Sequence, residues 1–255
     1  MSTNLLLATL LAFLAGTAHA QTANEARKYA VLSLIGDALS VISYQPRTGS
    51  SIDTNRHELI PITDGSFDKT ALMATDAALR KIDAQASVVL LTSSSQSLYQ
   101  EQEKLFSGSQ LVLPDEIATV LKSSGATHLI ILTKYRGEAR LQAAQFNLGS
   151  GKLTGLGFYV DRQYRLSRSD TGERSVGFLA PFVYFKISLV DVATLAVLRE
   201  EIATATTTLS AARSKDADPW NVLTPGQKVE RINSMTRGEV SRAVPVLVSN
   251  TKEPS

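Results

Sequence analysis

Residues 114–134, Pro-Asp-Glu-Ile-Ala-Thr-Val-Leu-Lys-Ser-Ser-Gly-Ala-Thr-His-Leu-Ile-Ile-Leu-Thr-Lys, carry the clearest statement of fold in the chain. Pro114 stands at a helix start, where its missing N–H is no loss, and Asp115 and Glu116 set carboxylates against the positive end of the helix dipole. Ile117, Val120 and Leu121 then fall on one face, which makes the helix amphipathic. Gly125 supplies the left-handed residue that ends it, and Thr127 to Lys134 follows as a central strand. Helix, glycine and strand in that order are an α/β signature.

Upstream, Tyr29–Ile35 and Ala38–Tyr44 are apolar and β-branched, and Gly36-Asp37 between them is the two-residue signal of a tight hairpin. Residues 46–55 are turn formers, and the short strand from His57 to Thr63 contains Pro61, which assigns it to an edge or a bulge. Leu72, Thr75, Leu79 and Ile82 recur at helical spacing within Asp68–Ala84. Ala86–Leu91 reads as a short buried strand and Gln96–Phe106 as a polar helix. Downstream, Ala139–Leu148, the turn Gly149-Ser150-Gly151 and Leu153–Val160 read as a hairpin. Phe182–Val190 and Val197–Leu209 are the longest predicted strands, joined by a turn at Asp191–Thr194. Ala211–Val222 is irregular and pinned by Trp220. Thr224-Pro225-Gly226-Gln227 is a capping box, opening a helix to about Val248 with Val229, Ile232, Val240, Val244 and Leu247 inward and Pro245 bending or stopping it. The expected architecture is α/β, with α+β open: a mixed, largely antiparallel sheet, helices packed against it, and one long hairpin excursion.

Residues 1–20 are an apolar run closed by Ala18-His19-Ala20, the pattern of an export signal cleaved after Ala20. The run is too short to cross a bilayer comfortably, since spanning takes roughly 20 apolar residues. The expected organisation is therefore a signal peptide (1–20), one α/β domain (21–250) and a polar tail (251–255), in a periplasmic protein. The 255 residues contain no cysteine, so neither an acylated cysteine nor a disulfide is available. Stability has to come from the core, and a domain of this size buries about 70% of its unfolded surface. A formal charge of +2 gives no electrostatic case for nucleic acid as a partner.

The stretch from Pro114 to Lys134, with its Gly125-Ala126 helix end and its His128-Leu129-Ile130-Ile131 strand, resembles the curli-secretion-channel and penicillin-binding-protein-activator superfamily of envelope α/β domains. The run Val183-Tyr184-Phe185-Lys186-Ile187-Ser188-Leu189-Val190-Asp191, followed by Thr194 and Val197-Leu198, is similar to its long strand, Val-Asp, turn and next strand. In this chain Leu195 stands where that turn has glycine, and Thr127-His128 replaces an acidic residue. The resemblance covers about half of the mature chain. It implies an accessory or assembly role and transfers no catalytic residue.

Four features invite chemistry. Gly149-Ser150-Gly151-Lys152 lacks the glycine and hydroxyl spacing of a phosphate loop, because Phe146 and Leu153 occupy those places, and it reads as a turn. His57, Glu58 and His128 are too few for a metal site, and no cofactor is expected. Ser93, Ser94 and Ser95 lie between a strand and a helix, where a hydrolase nucleophile sits, but without the Gly-x-Ser-x-Gly elbow; a helix N-cap is the commoner cause of serine there. Arg162, Arg165, Arg168 and Arg174, together with Lys152, form the one local basic cluster, interleaved with Tyr159 and Tyr164. On an extended strand Arg162, Tyr164, Leu166 and Arg168 share a face. Beside them Gly155–Tyr159 and Gly177–Phe182 are apolar, and either expose Phe158 and Phe178 to a partner or cover each other.

The resulting expectation is an exported, non-catalytic accessory protein that binds an envelope protein or an anionic envelope polymer, through Arg162, Arg165, Arg168, Tyr159, Tyr164, Phe158 and Phe178. Peripheral contact with the outer membrane and homo-oligomerisation stay open. One alternative is a subunit of an outer-membrane pore in which the 139–160 hairpin inserts. Another is a hydrolase using a serine of 93–95.

Overall fold

A computed structural model describes residues 27–46, 53–143, 146–167 and 174–249. The expected signal peptide, Arg168 and the polar tail lie outside them. In chain order the strands are β1 (Lys28–Leu34), β2 (Ala38–Ser43), β3 (Arg56–Pro61), β4 (Ser87–Leu91), β5 (Phe106–Ser107), β6 (Gln110–Leu111), β7 (His128–Lys134), β8 (Arg136–Glu138), β9 (Leu141–Ala143), β10 (Phe146–Leu148), β11 (Lys152–Ser167), β12 (Arg174–Asp191), β13 (Val197–Thr206) and β14 (Leu209–Ser210). The helices are α1 (Ser66–Ile82), α2 (Gln96–Gln100), α3 (Asp115–Ser124) and α4 (Pro225–Ser249). Among the described residues ten strands join in one mixed, mostly antiparallel sheet.

β12 is its spine. Residues 185–191 of β12 pair with β7, whereas 178–184 pair with β11. β13 pairs with both halves on the opposite edge, so β7 and β11 lie end to end along one edge. β1 runs parallel to β7, and β2 runs parallel to β11. β1 and β2 are therefore in line, and Gly36-Asp37 is a step between two storeys of the sheet. The hairpin expected there does not form, because each strand finds a longer partner elsewhere.

The step is held from a distance. The Asp68 carboxylate, on the first turn of α1, accepts from the Ser33 hydroxyl (2.6 Å), the N–H groups of Ile35 (3.0 Å) and Gly36 (3.1 Å), and the Tyr99 hydroxyl (2.8 Å). A Cβ on Gly36 would lie 2.6 Å from that carboxylate, which is why glycine stands there. Burial raises the pKa of Asp68, while the hydroxyls and amides oppose the rise. Lys134, at the end of β7, closes the step with an ion pair to Asp37 at 2.5 Å.

Side chains alternate across the sheet with period two. Val183, Phe185, Ile187 and Leu189 of β12 meet α1 and α4 on one face. On the other face the lower storey packs under Leu98, Leu105 and Leu121, and the upper storey under Leu141, Leu148 and Leu153. β7 is central, as expected, and Gly125 ends α3 at φ 64°. The capping box is present: Thr224 N–H donates to Gln227 Oε1 (2.9 Å) and Gln227 N–H to Thr224 Oγ1 (3.3 Å). Trp220 pins the irregular segment, edge-on to Phe158 at 5.7 Å.

Several expectations are corrected. Among the described strands β4 pairs only with β1, at the edge of the sheet, so it is half-exposed rather than buried. α2 is one short turn followed by a 3-10 turn (Gln102–Leu105), not a helix to Phe106. α4 runs through Pro245 to Ser249, and Val229 on it is 40% exposed. The excursion after β7 is a β9–β10 hairpin enclosed where β8 pairs with the start of β11. Gly155–Tyr159 is then a central segment between β2 and β12, not the arm of a free hairpin.

Candidate functional site

A break in register builds the site. β11 and β12 pair as far as Asp161 and Phe178, and pairing resumes at Arg165 and Val176. Arg162, Gln163 and Tyr164 are thus bulged out opposite Gly177 alone. The buried Asp161 carboxylate accepts the N–H groups of Gln163 (2.7 Å) and Tyr164 (2.8 Å), which the ladder leaves unpaired. Gly177 sits at φ 93°, and a Cβ there would come within 2.6 Å of the Asp161 carbonyl oxygen.

The bulge places Arg162 and Arg165 in a cleft of about 880 Å³ that is lined also by Ser175 and Val176 of β12 and by Ala211, Ala212 and residues 216–219. Arg162 lies 3.2 Å from the Asp218 carboxylate, which also accepts the Trp220 N–H at 3.0 Å. Asp216 accepts from the Ser214 hydroxyl, the Asn221 amide (2.6 Å) and the Asp218 N–H (3.1 Å), and these donors hold its pKa down to about 2. Ala217, between the two aspartates, is in the left-handed region at φ 58°. Both carboxylates are thus committed to the chain's own donors. Arg165 is exposed and has no ionic partner among the described residues. The cleft combines two guanidinium groups, of which Arg165 is the one without an ion pair among the described residues, with two hydrogen-bonded carboxylates and the apolar Val176, Ala211 and Pro219. A guanidinium in such a setting can bind an anionic group.

The residues expected at a partner surface divide. Arg162 and Arg165 meet in the cleft, and Tyr164 is 42% exposed, edge-on to Phe178 at 6.1 Å. Phe158, Tyr159 and Phe178 are at most 1% exposed: Phe158 faces α4, and Tyr159 and Phe178 stack on the hairpin side. The two apolar segments therefore cover each other, because β11 and β12 pair directly along them. A face shared by Arg162 and Tyr164 in strand alternation requires an unbroken ladder, and both lie in the bulge; Arg168 is outside the described residues. The part of the lining from 211–219 was missed. Its signal was the alternation Ser214-Lys215-Asp216-Ala217-Asp218, side chains that bond their own backbone two residues on.

The other candidates are placed as follows. Gly149 and Gly151 make a turn at φ 87° and 81°, and the Asp53 carboxylate accepts the Lys152 N–H (2.9 Å) where a phosphate would need a donor. His57 sits 3.6 Å from Asp53, whereas His128 is at the far end of β7 beside Thr127 (2.9 Å). Among the described residues no three His, Cys, Asp or Glu gather around a metal position. Ser93 and Ser95 line a separate cleft of about 640 Å³ with Glu101, Lys104 and Asp115. Ser95 is the N-cap residue of α2, but its hydroxyl bonds Ser97 (2.9 Å), and neither histidine reaches this cleft. None of the described helices is long and apolar enough to cross a membrane.

No family model and no curated protein matches the chain. Solved structures with a similar chain trace include the PelC dodecamer from Paraburkholderia phytofirmans, at 14% identity, 87% of this chain, 87% of that one and a TM-score of 0.32. A neuraminyllactose-binding hemagglutinin homolog from Helicobacter pylori is similar at 9% identity, 88% of this chain, 83% of that one and a TM-score of 0.40. Protein XCC0632 from Xanthomonas campestris is similar at 8% identity, 88% of this chain, 82% of that one and a TM-score of 0.31.

Proposed function

We propose that the chain is an exported, periplasmic accessory protein that binds an envelope protein or an anionic envelope polymer without catalysis, and that the Arg162–Arg165 cleft is its contact surface. The leader at residues 1–20 supports export. The observation that carries the binding reading is Arg165, exposed in a cleft that also has Val176, Ala211 and Pro219 in its lining and whose carboxylates already accept the chain's own donors.

The test is retention of the purified protein on immobilised anionic envelope polymer and on its extracted envelope protein fraction. Arg165→Gln is expected to weaken retention about tenfold, since a charge-assisted bond contributes roughly 1.5–3 kcal/mol. Arg162→Gln is expected to act more weakly, because Asp218 already holds that guanidinium. Unchanged retention in the double variant would remove the cleft from the proposal. Export is checked by the intact mass of the protein recovered from the periplasm: a mass that includes Met1 ends the cleavage claim.

A further inference from the structure

We infer that the outer edge of β13 is a receiving groove for an extended strand of a partner protein that carries an acidic side chain. β13 pairs only with β12 among the strands of the sheet. At its beginning the chain already uses the other edge: Val197 N–H donates to the Ser109 carbonyl (2.8 Å), and Gln110 bridges Ala196 in antiparallel fashion. Beyond that point no described strand continues on this edge.

The edge lies in a cleft of about 690 Å³. One wall holds Tyr135, Gly137 and Arg140; the other holds Glu239 of α4, which packs against the opposite face of β13. Ile202, Thr204 and Thr206 line the cleft together with Tyr184 of β12 from one face, and Ala205 lines it from the other, so the cleft covers that face and reaches over the edge of β13. A strand edge between two walls is the shape that adds a strand: backbone groups supply affinity, and wall side chains supply selectivity.

Two further observations fix the occupant. Residues 202–205, Ile-Ala-Thr-Ala, carry no charge and no proline, the usual protection of an open edge, whereas β3 carries Arg56, His57, Glu58 and Pro61. The groove's carboxylates are engaged, Glu239 by Arg242 at 2.7 Å and Glu138 by Lys152 at 3.8 Å. Arg140 is exposed with its backbone fixed, its N–H donating to the Tyr184 hydroxyl (3.4 Å) and its carbonyl accepting from Thr206 (3.1 Å), and no ion pair among the described residues engages it. The incoming strand therefore presents a carboxylate to Arg140. This surface is separate from the Arg165 cleft, and neither reading depends on the other.

The probe is the blocked peptide Val-Thr-Val-Asp-Val-Thr-Val-Asp, added to the full mature chain and followed by amide hydrogen exchange and anisotropy. The expected result is saturable binding with slowed exchange at residues 202–205. Binding is lost when alternate peptide nitrogens are methylated and falls about fivefold in Arg140→Gln. Circular dichroism confirms that the variant is folded. Three outcomes overturn the inference: no slowing at 202–205, equal binding of the methylated peptide, or slowing that follows protein concentration without peptide, which gives the edge to a second copy.

Discussion

The step at Gly36-Asp37 and the bulge at 162–164 solve the same physical problem by opposite routes. In both, a strand is interrupted and two backbone N–H groups leave the ladder; in both, an aspartate accepts them. At the bulge the aspartate is local, two and three residues before its donors. At the step it is Asp68, more than thirty residues away, and it ties α1, β1 and Tyr99 into one buried network. A local acceptor shapes a surface and can be altered at modest cost. A remote buried one holds elements together, so its loss is felt throughout the fold.

The largest effect that this contrast predicts is for Asp68→Ala, which strands the Ser33 hydroxyl and two amides in the interior and leaves the Tyr99 hydroxyl only the Ser93 carbonyl at 3.3 Å. Denaturant unfolding should show a loss of about 4 kcal/mol. If the loss is no larger than at the bulge, the contrast between remote and local acceptors fails. Asp161→Ala should cost about 2 kcal/mol and, unlike Asp68→Ala, should also weaken binding in the Arg165 cleft beyond its effect on stability, because the bulge positions Arg162 and Arg165.

Tyr99→Phe removes a single donor from Asp68 and should cost about 1 kcal/mol. Asp68 also imposes a pH dependence. Its folded pKa lies above the unfolded 3.8, so the stability it contributes is complete below that value and declines as pH rises through the folded pKa. Asp53, Asp191 and Asp216 are shifted down and act in the opposite direction, so the measurement is a difference. Subtracting the unfolding midpoints of Asp68→Asn from those of the wild type across this range should leave a slope that falls with pH. A flat difference would show that Asp68 does not titrate on folding.

The smallest effect is expected at the turn of Asp191, another local acceptor, which takes the Thr194 N–H and hydroxyl at 2.7 Å each. Leu195 follows it at φ 57°, a conformation that suits glycine, while its side chain packs among Leu111 and Val190. Leu195→Gly relieves roughly 1 kcal/mol of backbone strain and loses packing of similar size, so the melting temperature should move by only a few degrees.

Legibility followed the range of the interaction. Pro114, Gly125, Thr224 and Gln227 act within one turn of their own helix, and their roles were readable directly. The long strands were readable as well, since β7 and β12 are buried on both faces over their apolar runs, Leu129–Leu132 and Phe178–Phe185. The cleft was half readable. Arg162 and Arg165 stood out as charges, but the bulge that brings them together depends on Gly177 in another strand, and more of the lining comes from residues 211–219. Tyr159 and Phe178 were misleading, because an aromatic residue beside arginines looks the same in sequence whether it faces solvent or core.

By itself, then, the sequence determined an α/β composition, the positions of helix ends and the presence of long apolar strands, since propensity, capping and period are properties of neighbouring residues. Tertiary structure alone decided that β1 and β2 run in line rather than fold back. Gly36-Asp37 allows either geometry, and the choice rests on which strands can complete their ladders and on a carboxylate delivered by α1.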